Sequence, residues 1–388
     1  MVAIDSERLL ATFLELIEID SPSGAEKGIA DYCQRALEAA GCTVQIDDSA
    51  SQTGSNTGNL IACLPAYPVD SHQDALPIYF SAHMDSVEPC RGIKAQIIDG
   101  ILYSDGKTIL AGDDKVGIAV IIELIRCLTE AEPAGAAHPE IRVLLSVKEE
   151  VGLIGAMAMD AAMFAGQTGA ACYVLDAGGK PGLVVNGAPY HYSYRAEFKG
   201  LAAHAGIAPN EGISAIRAAA SAVAKLPQGR IDDSSTINVG SIQGGSADNV
   251  VAAQCLVTGE LRSHSLEMIE SLKTQIEEIF KSAATDDGSG AGAAEVVLNW
   301  SKSYEGFYAA EDSPQVELAF KAARSLGLEA KAEISNGGAD TNILAAHGLA
   351  AVSLGSGMEH VHSTAECLEI EDMENLARLA LAIVYESL

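Results

Sequence analysis

Five short stretches of this chain concentrate imidazole and carboxylate groups. His83-Met84-Asp85 follows the apolar run at 78–81. An imidazole can ligate a metal through one nitrogen while a nearby carboxylate takes a hydrogen bond from the other and fixes the ring. Ala111-Gly112-Asp113-Asp114-Lys115 precedes a helical run. Helix capping and the positive end of the helix dipole explain one aspartate there; a second in a glycine-framed loop asks for more, and a carboxylate can bridge two cations. Glu149-Glu150 follows the apolar IRVLLSVK. Two adjacent carboxylates repel unless something positive lies beside them; one could bind metal while the other takes a proton from water. Asp176 follows ACYVL, where a turn-forming aspartate is the plain alternative. Met358-Glu359-His360-Val361-His362-Ser363 follows a Gly-Ser-Gly loop. In an extended chain its two histidines point the same way, and either could ligate a metal.

Each stretch has an ordinary structural explanation on its own, but together they form a nitrogen and oxygen ligand set without thiolate. Such a set favours zinc, with manganese or cobalt as substitutes. Five ligands of which one bridges suffice for two metals that keep open positions for water and substrate.

The elements that must position these groups follow from periodicity. Apolar runs at 60–64, 78–81, 141–147 and 171–175 read as strands, alternating with helices at 115–129 and 153–164. This predicts a mixed, mostly parallel sheet covered by helices, whose catalytic groups gather at the carboxyl ends of strands. Leu9, Leu10, Phe13, Leu14 and Ile17 mark an amphipathic N-terminal helix, and Ser23 with Glu26 has the spacing of a capping box before a helix ending at Gly41. The rhythm changes after Pro181: strands at 190–199, 236–242, 251–261 and 295–300, with helices at 212–225 and 266–281 and a loop at 283–294, give the βαββαβ order of a ferredoxin-like sandwich. The α/β rhythm resumes at 312–326, 331–334, 350–354 and from 371 onward. The expectation is a discontinuous catalytic domain, 1–185 with 310–388, interrupted by an inserted domain at 186–309.

Length and charge narrow the function classes. At 388 residues two domains are expected. A formal net charge of -29 argues against nucleic acid or anionic membrane as partner. The N-terminus lacks the basic and apolar regions of a targeting signal, and eight scattered cysteines without a C-x-x-C pair suit a reducing, cytoplasmic setting.

With SPSGAE, SAHMDSV, LAGDDKVGIA, KEEVGLIGA and HSTAE in order along it, the chain resembles the zinc-dependent exopeptidase family that includes peptidase T, glutamate carboxypeptidase and the aminoacylases, and most of all its peptidase T-like members. The resemblance implies two zinc ions: His83 and Asp176 on one, Glu150 and His362 on the other, and Asp113 bridging, with His360 as the alternative to His362. It implies that Asp85 supports the His83 ring and that Glu149 is the general base. The inserted domain matches the family's ferredoxin-like lid, in which Gly200-Leu201-Ala202-Ala203-His204-Ala205-Gly206 carries an oxyanion-holding histidine, His204. Asn249 and Arg262 match the lid's substrate contacts, with structural ion pairing the alternative for Arg262, and Gly337 and Gly338 match a glycine-rich substrate-binding loop on the catalytic domain. The activity implied is removal of the N-terminal residue from tripeptide-like substrates. N-acyl-amino-acid deacylase, carboxypeptidase and a non-catalytic metal-binding homologue stand as alternatives, and a homodimer through the lid is the implied assembly.

Overall fold

The computed structural model describes residues 3–68, 76–286 and 292–388. The chain divides into two compact units: 1–187 with 308–335 and 339–388, and 188–307 with 336–338. Among the described residues no helix is long and apolar enough to cross a membrane.

In the first unit the main sheet runs in the order Thr43–Ile46, Leu60–Leu64, Ile141–Ser146, Ile78–His83, Ala171–Ala177, Ala350–Gly355 and Leu183–Ala188, with Lys331–Ile334 pairing the last. Ile78–His83 runs parallel to both its neighbours, and Ala171–Ala177 runs parallel to Ala350–Gly355. The outer pairs Thr43–Ile46 with Leu60–Leu64 and Leu60–Leu64 with Ile141–Ser146 are antiparallel. The sheet is thus mixed and mostly parallel, as its sequence rhythm predicts.

Its central strands are apolar on both faces because both are covered. Ile78, Phe80 and Ala82 join one core with Val143, Leu145, Tyr173 and Leu175, closed by helices Ser6–Ile17, Lys27–Ala39, Gly112–Ala131, Pro314–Ser325 and Ile370–Glu386. Tyr79, Leu144, Cys172 and Val174 face a second core with Phe164 and Leu344. Side chains alternate along a strand. His83 therefore shares the parity of Tyr79, and Asp176 that of Val174, so both emerge on one side at the carboxyl ends of adjacent parallel strands. A small separate sheet pairs Cys367–Glu369 with Ile101–Tyr103, bringing the segment after His362 beside the loop that leads to Asp113.

The second unit is an antiparallel sheet in the order Gly229–Asp232, Ser235–Gly244, Gln254–Ser263, Tyr190–Lys199 and Glu295–Tyr304. Helices Ala215–Lys225 and Leu266–Thr285 cover the face bearing Tyr194, Ala196 and Phe198. This is the ferredoxin-like α+β arrangement with one additional hairpin strand.

Several local expectations give way to longer-range demands. The helix expected over 153–164 is only one turn, Ile154–Met157, followed by a 3-10 turn at Ala161–Phe164. Leu153 takes a left-handed φ of 61°, and Gly155 presses against the Val147 carbonyl. Ser23 and Glu26 form no capping box: Ser23 donates to Asp85, Glu26 accepts from Gly24 and Lys148, and the helix begins at Lys27. The expected loop at 283–294 starts later, since the preceding helix reaches Thr285; residues 287–291 lie outside the described residues. A strand at Leu183–Ala188 and a helix at Asp340–Ala346 come unannounced.

At Gly155 an added Cβ would lie 1.9 Å from the Val147 carbonyl oxygen. Such overpacking costs about 1–3 kcal/mol or more. Gly155→Ala should therefore lower the urea midpoint clearly, which equilibrium unfolding followed by circular dichroism will measure.

Candidate metal centre

His83 closes its strand fully buried, and its Nδ1 donates to the Asp85 main-chain carbonyl at 2.9 Å, with the Asp85 carboxylate farther off at 3.5 Å. That leaves Nε2 as the outward nitrogen, 3.0 Å from Asp113 Oδ1 and 3.8 Å from Asp176 Oδ1. On the other side of Asp113, His362 Nε2 lies 3.1 Å from Oδ2 and 3.0 Å from Glu150 Oε1. The two oxygens of one aspartate thus meet two different imidazoles. Ligand atoms of His83, Asp113 and Glu150 lie within 4.8 Å of one another, as do those of His83, Asp114 and Asp176. The carboxylate of Asp114 is engaged elsewhere, accepting from the backbone N–H groups of Gly117 at 3.1 Å and His83 at 3.3 Å, so Asp113 is the freer of the pair.

His360 and His362 do not lie in an extended segment. Both adopt left-handed backbone, φ 56° and 62°, and only His362 is seen against Asp113 and Glu150. The fifth stretch therefore contributes one imidazole to the cluster.

The electrostatics fit divalent cations. Burial pushes Asp114, Glu149 and Asp176 well above the usual carboxylate range, and neighbouring carboxylates add to the rise. Asp113 feels the same burial, but hydrogen bonds from His362 and His83 overcome it and hold the group below that range. His362 is pushed up to about 10 by Asp113 and then Glu150. Glu150 Oε1 is buried without a well-directed hydrogen bond, although His362 Nε2 is close. Carboxylates crowded around ring nitrogens, with an acceptor left over, form a donor set suited to cations rather than to protons alone.

The supports include residues that the sequence reading passed over. Glu366, fully buried, accepts from the backbone N–H groups of Leu110, Ala111 and Asp113 at 2.8, 2.9 and 3.1 Å, and so holds the loop that presents Asp113. Lys115 is buried too, its ammonium donating to the Ile19 carbonyl at 2.7 Å, and burial pulls it down to about 8. Asp340 accepts the Ser146 hydroxyl through one oxygen, and its other oxygen is buried without a partner among the described residues. The HSTAE run contains Glu366, but nothing local marks it as buried.

The remaining predicted residues belong to the second unit, and these include Gly337 and Gly338, expected on the catalytic domain but grouped with the second unit as part of 336–338. His204 is exposed, its Nδ1 accepting from the Gly206 N–H at 3.2 Å, and the Asn249 carbonyl accepts from the Ala205 N–H at 2.9 Å. Arg262 donates to Glu260 at 3.3 and 3.2 Å and to the Asn336 carbonyl at 3.4 Å, so it is engaged in an ion pair within its own unit. Gly338 lies flat against Tyr304, where an added Cβ would come within 2.2 Å of the ring; Gly337 precedes it in the same segment.

Two outcomes follow. Glu366→Ala strands three backbone donors at about 1–3 kcal/mol each, so the melting temperature should fall and cation uptake should weaken, checked by thermal unfolding with and without zinc. His362, raised to about 10, is protonated at neutral pH when no cation is bound. Its proton must leave as the nitrogen takes a cation. Zinc affinity should therefore increase with pH, and calorimetry at neutral pH in two buffers of different ionisation enthalpy should register proton release.

Comparison with known proteins agrees with the fold. Residues 187–288 match a family model described as a peptidase dimerisation domain, and residues 104–215 match one described as M42 glutamyl aminopeptidase. The uncharacterised protein YqjE of Bacillus subtilis is 37% identical over 384 residues, 99% of each chain. The structure of aminopeptidase PepT from Bacillus cereus is 38% identical with a TM-score of 0.87, covering 99% of both chains. That of a tripeptidase from Staphylococcus aureus is 34% identical with a TM-score of 0.89, covering 98% of both. On this likeness across nearly its whole length, the chain belongs to the M20 family of peptidases, among its peptidase T-like members.

Proposed function

We propose that the protein removes the N-terminal residue from short, tripeptide-like substrates, with two zinc ions held by His83 and Asp176 on one side, Glu150 and His362 on the other, and Asp113 between them. The observation that carries this reading is Asp113, whose two carboxylate oxygens face His83 and His362 separately. The full-length likeness to an aminopeptidase and a tripeptidase supports the choice of bond. When bound, divalent cations there supply Lewis-acid polarisation of an amide carbonyl and make water easier to deprotonate.

The chain's own contribution centres on Glu149. It is buried beside the ligand set, and the Glu149 carboxylate has an elevated proton affinity from burial, countered by His83 and reinforced by Asp340 and Glu150. A carboxylate so placed takes the proton of the attacking water and returns it to the departing amine, so the proton count closes within one turnover. His83 keeps its ring orientation through the Asp85 carbonyl. The parts assigned to His204, Asn249 and Arg262 belong to the same proposal, as does a homodimer through the region matching the dimerisation model. The eight cysteines are all free thiols, which supports a cytoplasmic setting.

Glu149→Ala should keep its metal and lose about 10²–10⁴-fold in kcat; full activity would overturn the role. A panel of a free tripeptide, its N-acetylated form and its C-terminal amide tests the bond chosen. Cleavage that requires the free amine supports the aminopeptidase. Cleavage of the acetylated form alone would replace it with a deacylase or carboxypeptidase.

A further inference from the structure

After Ser146 the chain leaves the sheet, and residues 147–150 belong to no strand or helix. Their four consecutive backbone N–H groups are each taken by a buried side-chain oxygen. Val147 donates to Asn59 Oδ1 at 3.0 Å and Lys148 to Glu26 Oε1 at 3.2 Å. Glu149 donates to Asp85 Oδ1 at 2.9 Å and Glu150 to Asp85 Oδ2 at 3.3 Å. Glu26, Asn59 and Asp85 are all fully buried. A buried amide must find an acceptor, and an ionised carboxylate makes the stronger bond.

The acceptors are themselves fixed. Asn59 donates to Asp47 Oδ2 at 2.9 Å and to the Gly155 carbonyl at 3.0 Å. Glu26 also accepts from the Gly24 N–H at 2.7 Å and from the Ser55 hydroxyl, and Asp85 accepts from the Ser23 hydroxyl at 2.6 Å. Lys148 is held at φ 52°, and its ammonium donates to the Thr53 carbonyl at 2.8 Å. The turn is therefore clamped on successive amides by three segments that are distant in sequence.

We propose that Glu26 and Asn59 are positioning residues for the Glu149–Glu150 pair. Adjacent carboxylates on a free turn could exchange places by a modest backbone rotation. Capturing each amide decides which one meets His362 and which is left to move a proton. The inference rests on the roles proposed above for Glu149 and Glu150.

The test compares wild-type protein with Glu26→Ala and Glu26→Gln by hydrogen exchange of the 147–153 segment, zinc content and tripeptide kinetics. Glutamine can still offer a carbonyl oxygen to the Lys148 N–H and turn its amide nitrogen to Ser55, whose hydroxyl can accept. The expected result is slow exchange in the wild type and, in Glu26→Ala, exchange on the order of 10-fold faster. A misplaced base should lower kcat by about 10–100-fold, with KM within about two-fold and zinc retained. Glu26→Gln should restore both exchange and kcat. Fast exchange of this segment in the wild type, or a Glu26→Ala protein with a lower melting temperature and unchanged kcat, overturns the proposal. Should Glu26→Ala not fold, Ser55→Ala removes one of the donors to Glu26 and carries the same expectations at smaller size. A wild-type protein inactive on every peptide defeats the aminopeptidase reading instead, and the exchange comparison then decides the clamp by itself.

Discussion

Crowding of like charge is the constraint on which the first unit is organised. Asp113, Asp114, Glu149, Glu150 and Asp176 crowd around a buried imidazole, His83, and an exposed one, His362, with most of the carboxylates themselves withdrawn from water. Were all five ionised, three negative charges would go uncompensated even with both rings protonated. Two divalent cations against neutral rings would leave only one. Buried carboxylates without a counter-charge take up protons or disrupt the fold. The arrangement is therefore suited to positive charge.

The fold meets the constraint by dividing tasks among neighbouring residues. Strand parity sends His83 and Asp176 to one side of adjacent parallel strands, with apolar residues filling both faces behind them. Of the two aspartates at 113 and 114, one faces the rings and the other accepts backbone N–H groups. Asp85 shows the same economy: its carbonyl orients His83 while its carboxylate accepts from the Glu149 and Glu150 amides. Several residues of the cluster are thus attached to groups that also hold the backbone.

How much of this can be read from sequence depends on the distance over which the deciding interaction acts. His83, Glu149, Glu150 and Asp176 are conspicuous as polar residues closing apolar runs, and the α/β rhythm with its ferredoxin-like interruption is legible in hydrophobic period alone. Glu366 is not, since its burial arises from N–H groups more than 250 positions earlier in the chain. Ser23 and Glu26 have the spacing of a local cap, yet the Ser23 hydroxyl donates to the Asp85 carboxylate and Glu26 accepts from the distant Lys148 amide instead. The run at 153–164 has helical character that is overridden where Gly155 meets Val147. His360 and His362 look equivalent until the left-handed turns of their backbone separate them. In each case a tertiary demand displaces a local preference.

The discontinuity of the first unit bears on how the protein comes to exist in a cell. A ribosome delivers His83 through Asp176 first, then the whole of 188–307, and only afterwards Asp340, His362 and Glu366. The helix Ile370–Glu386, which completes the larger core, emerges later still. Domains tend to fold as units during synthesis, and here the intervening unit can fold while the first is waiting for its second half. A nascent chain therefore carries an acidic, half-built cluster while the whole intervening unit is made, and gains His362 only after it. The order of synthesis itself delays hydrolytic competence until the intervening unit and the returning segments of the first have both been made.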